Sequence, residues 1–259
     1  MDYKKLFKLN KKNTLVFGSE GKLGREIVKC FQSYGAKVIC ADIKNLKKRN
    51  YYKCNTSKEA DIKKLISNLS KIKINNIIFC ITSKKENFYV PFEKSGNENF
   101  IHLVETELYS SYLIAKNFHK LLKKTKGNLI FVSSIYGLIA NDPELYKNSG
   151  LDKVYSKSMG KEIFPNPSYN IVKGGIISFT KYLSAKWGKD KVRVNCVSPG
   201  GVFDKSESKK FNKKYSKSVP IGRKAYPTEI PGTVLFLASE ASSYITGQNI
   251  IIDGGKTII

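Results

Sequence analysis

The sequence predicts an α/β fold, a doubly wound parallel sheet of about seven strands with helices on both faces. Short apolar runs alternate with longer segments of helical periodicity along the chain, which is typical of strand–helix–strand units in a parallel sheet. A glycine-rich turn joins the first run to the first helical segment. The content of 41% hydrophobic and 26% charged residues is ordinary for a folded chain.

The predicted elements follow one another in a regular order. The seven apolar runs predicted as strands cover residues 14–17, 37–41, 51–54, 76–81, 128–132, 192–197 and 249–252. The main helices are predicted over residues 22–34, 57–69, 97–124, 168–187 and 227–239. The connections between parallel strands are expected to be right-handed.

Two long segments, 136–167 and 202–225, interrupt this rhythm. Both follow the carboxyl ends of predicted strands, where open α/β sheets bind ligands. Neither resembles a linker, so residues 1–259 are predicted to form a single domain with a long insert and a lysine-rich loop. The insert is predicted to face the substrate, with an oligomer contact as the alternative.

The formal charge of +25 comes almost entirely from lysine, because only four of the 46 basic residues are arginine. A nucleic-acid-binding protein would more often use arginine. We therefore expect a solvated lysine-rich surface, with attraction of anionic ligands as the alternative and no nucleic-acid partner.

Further sequence features indicate a cytoplasmic protein without a metal site. Five scattered cysteines indicate reduced thiols, and two histidines are too few for a histidine-based zinc site. The first twelve residues hold five lysines and no apolar core, so no secretory signal is expected there. No apolar run is long enough for a membrane helix, and no membrane partner is expected.

The glycine-rich turn predicts a dinucleotide site. Gly18 would form the tight turn, Gly21 would admit a pyrophosphate, and Gly24 would let helix and strand pack closely. The helix N-terminus would present free N–H groups to the phosphates. A turn needed only for packing is the alternative interpretation.

An acidic residue ends the second predicted strand. Asp42, 24 residues after Gly18, could accept hydrogen bonds from the adenosine ribose and repel a 2′-phosphate, which favours NAD over NADP. A role as turn residue or helix cap is the alternative. Asn55 could face the adenine or serve a turn.

The candidate catalytic pair is Tyr169 and Lys173, which the i,i+4 spacing puts on one helix face. The lysine charge would favour the tyrosinate, so Tyr169 could exchange a proton with a substrate oxygen. Among so many tyrosines and lysines such pairs arise by chance, and Tyr112/Lys116 and Tyr182/Lys186 share the spacing. Position favours Tyr169, which opens a helix directly after a loop from a strand end.

Three further positions complete the predicted site. Ser134 ends the fifth strand and could hydrogen-bond the same oxygen, whereas alternation would turn Ser133 away. Pro199 and Gly200 end the sixth strand and could shape a nicotinamide pocket. Lys173 could also hold the nicotinamide ribose.

With these residues in place, the chain resembles the short-chain dehydrogenase/reductase family. The segments that carry the resemblance include 168–175 (SYNIVKGG), 192–200 (VRVNCVSPG) and 253–255 (DGG). The family implies a nicotinamide cofactor, catalytic Ser134, Tyr169 and Lys173, and a homotetramer or homodimer. The cofactor-binding residues that it implies are Gly18, Ser19, Gly21, Leu23, Gly24, Asp42, Ile43, Asn55, Thr56, Cys80, Ile81, Thr82, Tyr169, Lys173, Pro199, Gly200 and Val202.

The chain departs from the family pattern at several positions. Lys22 replaces a glycine, residues 80–83 replace the usual Asn-Asn-Ala-Gly, and Glu107 replaces a helix asparagine that orients the lysine and a relay water. Ser134 and Tyr169 are also 35 residues apart, against about a dozen in much of the family. The long insert, together with residues 133–137 (SSIYG) and 198–202 (SPGGV), resembles the flagellin modification protein A-like oxidoreductases of bacterial surface-sugar and nonulosonic acid pathways.

The expected function is therefore an NAD-dependent oxidoreductase that interconverts a hydroxyl and a carbonyl on a sugar-derived small molecule. A non-catalytic scaffold that keeps the nucleotide fold is the alternative, motivated by the changes at residues 80–83 and at Glu107. A nucleic-acid-binding role rests on charge alone.

Overall fold

A single sheet of seven parallel strands organises the protein, as the computed structural model of residues 2–84, 88–151 and 166–259 shows. The strand order is β3-β2-β1-β4-β5-β6-β7, which confirms the predicted doubly wound α/β fold. The strands are β1 Asn13–Phe17, β2 Lys37–Asp42, β3 Tyr51–Lys53, β4 Ile74–Phe79, β5 Asn128–Val132, β6 Arg193–Pro199 and β7 Asn249–Ile252.

Helices cover both faces of this sheet, and one of them is interrupted by a π-helical turn, Val104–Tyr109. The described α-helices are α1 Lys22–Ser33, α2 Glu59–Asn68, α3 Asn97–Leu103, α4 Ser110–Thr125, α5 Pro143–Tyr146, α6 Pro167–Trp187, α7 Lys209–Lys217 and α8 Pro231–Ala238. No helix among these described residues is long and apolar enough to cross a membrane.

The core consists of two apolar layers, because successive strand residues point to opposite faces. One layer packs beneath α1 and α8, and its strand residues include Val16, Ile78 and Ile130. The other packs beneath α2, α4 and α6 and includes the next residue of each strand, Phe17, Phe79 and Phe131. Since β1, β4 and β5 are neighbours, these phenylalanines lie in register across the centre of the sheet.

The chain order reverses between β1 and β4, which are paired although β2 and β3 come between them in sequence. A crevice therefore opens where the carboxyl ends of these two strands diverge. The glycine-rich turn follows β1 and residues 80–83 follow β4, so both segments meet at this crevice.

The helix predicted over residues 97–124 is not continuous. Within the π-helical turn the N–H of Ser110 bonds the carbonyl oxygen of Glu105, five residues back. The same oxygen accepts the hydroxyl groups of Ser110 at 2.9 Å and of Ser57 at 3.1 Å. These two extra donors stabilise the wider turn, and residue pattern alone does not reveal them.

The two long segments differ from their predicted loop character. Residues 202–225 contain α7, and the insert contains the short α5; residues 152–165 of the insert lie outside the described residues. Leu145 and Tyr146 from the insert pack against Phe211 and Tyr215 of α7 in a small apolar cluster separate from the two core layers. The segments thus form a joint structure beside the carboxyl edge of the sheet.

Candidate active site

A cleft of about 610 Å³ lies at the carboxyl edge of the sheet. It is lined by every predicted site residue except Ser19, whose side chain is buried outside it. The cleft therefore brings together the glycine-rich turn, the ends of β2, β4, β5 and β6, and the start of α6. Residues that were not assigned to the catalytic or cofactor-binding set also line it, namely Glu20, Lys22, Lys44, Cys54, Ser57, Ser83, Lys84, His102, Thr106, Val132 and Ser133. Ser133, which alternation was expected to turn away, thus also borders the cleft.

The glycine-rich turn fits a phosphate cradle. Gly18 has a φ of 75°, and a Cβ there would overlap the carbonyl oxygen of Cys80. A Cβ on Gly24 would overlap the carbonyl oxygen of Gly18, so both positions require glycine. Gly21 is the N-cap residue of α1 and makes no side-chain cap, which leaves the first N–H groups of the helix facing the cleft.

Asp42 lines the cleft at the end of β2. Its carboxylate accepts the backbone N–H of Glu20 at 2.9 Å and of Lys44 at 3.2 Å, which fixes its orientation. Each oxygen can accept further hydrogen bonds. Asn55 also lines the cleft, while its side-chain oxygen accepts the N–H of Ser57, so it serves a turn as well.

Lys22, which stands where the family pattern has glycine, reaches across the cleft. Its ammonium forms an ion pair with Asp204, in the loop that follows β6. Hydrogen bonds from Lys22 and from Ser206 hold the pKa of Asp204 well below its usual range. The substitution thus links the phosphate cradle to the lysine-rich loop.

Tyr169 lies in the first turn of α6, and its partly buried ring lines the cleft beside Lys173. The ammonium of Lys173 lies 5.4 Å from the centre of that ring and donates to the carbonyl oxygen of Val132 at 3.2 Å. Ser133 donates its hydroxyl to the carbonyl oxygen of Lys173 at 2.9 Å, which ties β5 to α6.

The two other tyrosine–lysine pairs lie on the surface, where Tyr112 is 49% exposed and Tyr182 is 59% exposed. Neither contributes to the lining of the cleft. The choice of Tyr169 by its position after a strand end is therefore consistent with where the chain brings the three tyrosines.

Lys173 forms a fully enclosed ion pair with Glu107. The ammonium lies 2.7 Å from one carboxylate oxygen, and the side chains are 3% and 0% exposed. The other oxygen accepts the hydroxyl of Thr82 at 2.7 Å. Burial alone would lower the pKa of Lys173, but attraction by Glu107 and Tyr169 outweighs it and raises that pKa. Glu107 therefore holds the lysine in its charged form.

A second cavity of about 170 Å³ adjoins the cleft. The two share Lys84, Ser134, Tyr169, Gly200 and Val202, so the candidate catalytic serine and tyrosine stand at their junction. The remaining described wall comes from the insert, the lysine-rich loop and the segment after β4 that holds Phe88 and Tyr89, and it consists mostly of aromatic and polar side chains. Ser134 therefore faces both cavities, as its predicted role requires.

Two charged residues in that wall were not predicted. Lys224 and Glu207 form an ion pair of 2.6 Å, with side chains 4% and 14% exposed. They lie in a segment crowded with lysine and serine, and no spacing distinguishes them there. Among the described residues no cluster of His, Cys, Asp or Glu side chains could hold a metal ion.

Comparisons with known proteins agree with this geometry. A family profile described as enoyl-(acyl carrier protein) reductase matches residues 19–149 and 153–257. Sorbose reductase SOU1 of Candida albicans is 30% identical over 275 residues, covering 97% of this chain and 89% of the relative.

Solved structures share the whole fold. A short-chain dehydrogenase from Leptospira borgpetersenii with bound NAD⁺ superposes with a TM-score of 0.84 at 30% identity, covering 96% of this chain and 94% of that one. A gluconate 5-dehydrogenase from Burkholderia cenocepacia in complex with NADP and tartrate has a TM-score of 0.81 at 17% identity over 98% of both chains. The profile match, the relative and the shared nucleotide-binding fold together show that this chain belongs to the short-chain dehydrogenase/reductase family of oxidoreductases.

Proposed function

We propose that the protein is an NAD-dependent oxidoreductase that interconverts a hydroxyl and a carbonyl on a sugar- or polyol-type substrate. The observation that carries this proposal is the meeting of Ser134 and Tyr169 where the cofactor cleft joins the second cavity, with Lys173 in the cleft beside Tyr169. A substrate oxygen at that junction could contact the serine and the tyrosine together.

Each of the three residues has a separate task. Tyr169 passes a proton to or from the substrate oxygen, and Ser134 donates a hydrogen bond that orients it. Lys173 presents the positive charge that favours the tyrosinate. Glu107 and Thr82 hold that lysine in place and are positioning residues.

The residues of the cleft fit a nicotinamide dinucleotide, which would supply the hydride acceptor or donor. The turn of Gly18 to Gly24 and the N-terminus of α1 would hold the pyrophosphate. Asp42 would bind the adenosine ribose, and its charge would oppose a 2′-phosphate, so we propose NAD over NADP. Pro199 and Gly200 would border the nicotinamide.

Two considerations support a sugar-type substrate. One of the relatives that match nearly the whole chain is a sorbose reductase. From the resemblance of the long insert, residues 133–137 and residues 198–202 to oxidoreductases of bacterial surface-glycan and nonulosonic acid biosynthesis, we propose a role of this kind. A homodimer or homotetramer is also proposed, supported by the exposed aromatic side chains of Tyr109, Tyr112 and Tyr182 on one face.

A substrate screen tests the proposal. The protein is incubated with NAD or NADP and with sugars, polyols and sugar nucleotides, and formation of the reduced cofactor is followed by absorbance. We expect turnover of a polyhydroxylated alcohol with NAD and a lower dissociation constant for NAD than for NADP. Equal or tighter binding of NADP would contradict the cofactor choice, and absence of turnover with every alcohol would contradict the activity.

A further inference from the structure

The second cavity carries a buried ion pair in its wall rather than in the core. Removing Lys224 and Glu207 from water costs free energy that their attraction seldom exceeds, so such a pair is weak evidence for a stabilising role. Both residues line the cavity, so both can reach a ligand. A pair kept at such a cost beside the candidate catalytic residues points to recognition.

The surroundings of the pair are aromatic. The ammonium of Lys224 lies 4.3 Å from the ring centre of Phe211 and 5.0 Å from that of Tyr215. The hydroxyl of Tyr215 accepts the N–H of Gly201, which fixes this ring against the end of β6. The rings hold Lys224 in one position, and the cavity thus offers flat apolar faces beside one donor and one acceptor.

On the opposite wall the insert supplies phenol and amide groups. Tyr146 accepts the side-chain amide of Asn141 at 3.2 Å and points toward the hydroxyl of Tyr136 at 3.5 Å. Burial raises the pKa of Tyr136 and of Tyr146, so both phenols stay neutral. The described residues of the insert that line the cavity therefore add hydrogen-bonding groups and no charge.

We propose that the second cavity binds the uncharged, polyhydroxylated part of the substrate, with Lys224 donating to one hydroxyl and Glu207 accepting from a neighbouring one. This rests on the proposed function for the identity of the reacting end. The pair carries no net charge, so an acidic substituent beside it would face Glu207 and a basic one Lys224. Lys84 also lines the cavity, and its ammonium donates to the hydroxyl of Tyr89 at 2.8 Å and lies 5.1 Å from the ring centre of Tyr169. An apolar chain would leave the remaining hydrogen-bonding capacity of Lys224 and Glu207 unsatisfied, whereas adjacent hydroxyls can satisfy it.

The test measures binding to the NAD-loaded protein by saturation-transfer NMR. The probes are the neutral polyols D-arabinitol and D-sorbitol, the sugar acid D-gluconate, and cyclohexanol. We expect a neutral polyol to bind best. Glu207→Gln and Lys224→Met should each weaken polyol binding roughly 10–100-fold, the effect of losing one charge-assisted hydrogen bond.

The matched control is the neighbouring surface pair Arg223–Glu229, also 2.6 Å apart but exposed. Glu229→Gln should leave polyol binding unchanged, and an unchanged NAD dissociation constant in every variant shows that the fold is kept. Glu207→Gln keeps the number of non-hydrogen atoms in the side chain. This variant therefore remains informative if Lys224→Met unfolds.

The outcomes separate this inference from the proposed activity. Preference for gluconate or cyclohexanol, no binding of either polyol, or equal polyol binding by wild type and the cavity variants would overturn the inference, even with NADH formation intact. Polyol binding that depends on Lys224 and Glu207 without NADH formation from any alcohol would support the cavity assignment and refute the oxidoreductase activity.

Discussion

Two buried lysine–glutamate pairs lie beside the two adjoining cavities, and they differ in where the carboxylate sits. Glu107 is fully enclosed behind Lys173, whereas Glu207 lines the second cavity and is partly exposed. The pKa of Lys173 is raised because Glu107 and Tyr169 outweigh burial. The pKa of Lys224 is lowered because burial, together with the charge of Lys22, outweighs Glu207.

The same two residue types therefore serve different purposes. An enclosed carboxylate holds the proton on its lysine and fixes a permanent charge next to Tyr169. A carboxylate that lines a cavity, as Glu207 does, holds the proton on its lysine less firmly. Glu207 and Lys224 can each replace part of their mutual contact with a contact to a ligand. The comparison predicts that changes beside Lys173 alter the chemical step, while changes beside Lys224 alter substrate binding.

The largest effect is expected at the tyrosine between the two pairs. Tyr169→Phe removes the hydroxyl that carries the proton and keeps the ring, so turnover should fall by at least about 10²–10⁴-fold while NAD binding survives. Steady-state rates and an NAD titration measure this. Tyr112→Phe and Tyr182→Phe are the controls, and a dead Tyr182→Phe with an active Tyr169→Phe would show that the wrong pair was assigned.

The next largest effect is expected when the enclosed carboxylate of Glu107 is neutralised. Glu107→Gln removes the strongest attraction that offsets the burial of Lys173, so the pKa of Lys173 should fall and the alkaline loss of activity should begin at lower pH. The charge of Lys173, no longer balanced by Glu107, should also favour the tyrosinate form of Tyr169. The dehydrogenase rate should therefore begin to rise at a lower pH. The profile of kcat against pH should thus shift by on the order of one unit.

Glu105→Gln, an exposed residue of the same π-helical turn, is the control for this shift. A profile that stays in place in Glu107→Gln, with only the rate reduced, would show that the carboxylate acts through packing and not through the charge of Lys173.

The smallest effect concerns stability at alkaline pH. Because the pKa of Lys224 is lowered on folding, the unfolded chain binds the proton more readily, and stability should rise as pH approaches the ordinary value of 10.5. Lys224→Met removes this gain, so the wild-type advantage in urea unfolding should grow between pH 8 and 10. Arg223→Met is the control, and an advantage that shrinks over that range would mean that the pKa is not lowered.

The framework of the fold could be predicted because it depends on local pattern. The strands are predictable as apolar runs. Gly18 and Gly24 are predictable as glycines of the turn because the backbone conformation or the close contacts at these positions exclude other residues. Asp42 followed from its position at a strand end. Each of these features can be recognised from a few consecutive residues of the sequence.

The features that were missed depend on distant contacts. Nothing in the sequence shows which of so many lysines is buried, so the pairing of Lys224 with Glu207 was not foreseen. The helix α7 was hidden in a lysine- and serine-rich segment. It is held by apolar contacts of Phe211 and Tyr215 with the insert, which no local pattern reveals.

The π-helical turn allows the residue beside Lys173 to be exchanged by a change in chain length. A wider turn holds one residue more than regular helix would, so deleting a single codon there could restore an unbroken helix from α3 to α4. The packing beyond the turn would be conserved, while the residue presented to Lys173 would be exchanged. The turn thus makes the charge beside the candidate catalytic lysine adjustable by insertion and deletion, independently of the apolar residues that hold the helix on the sheet.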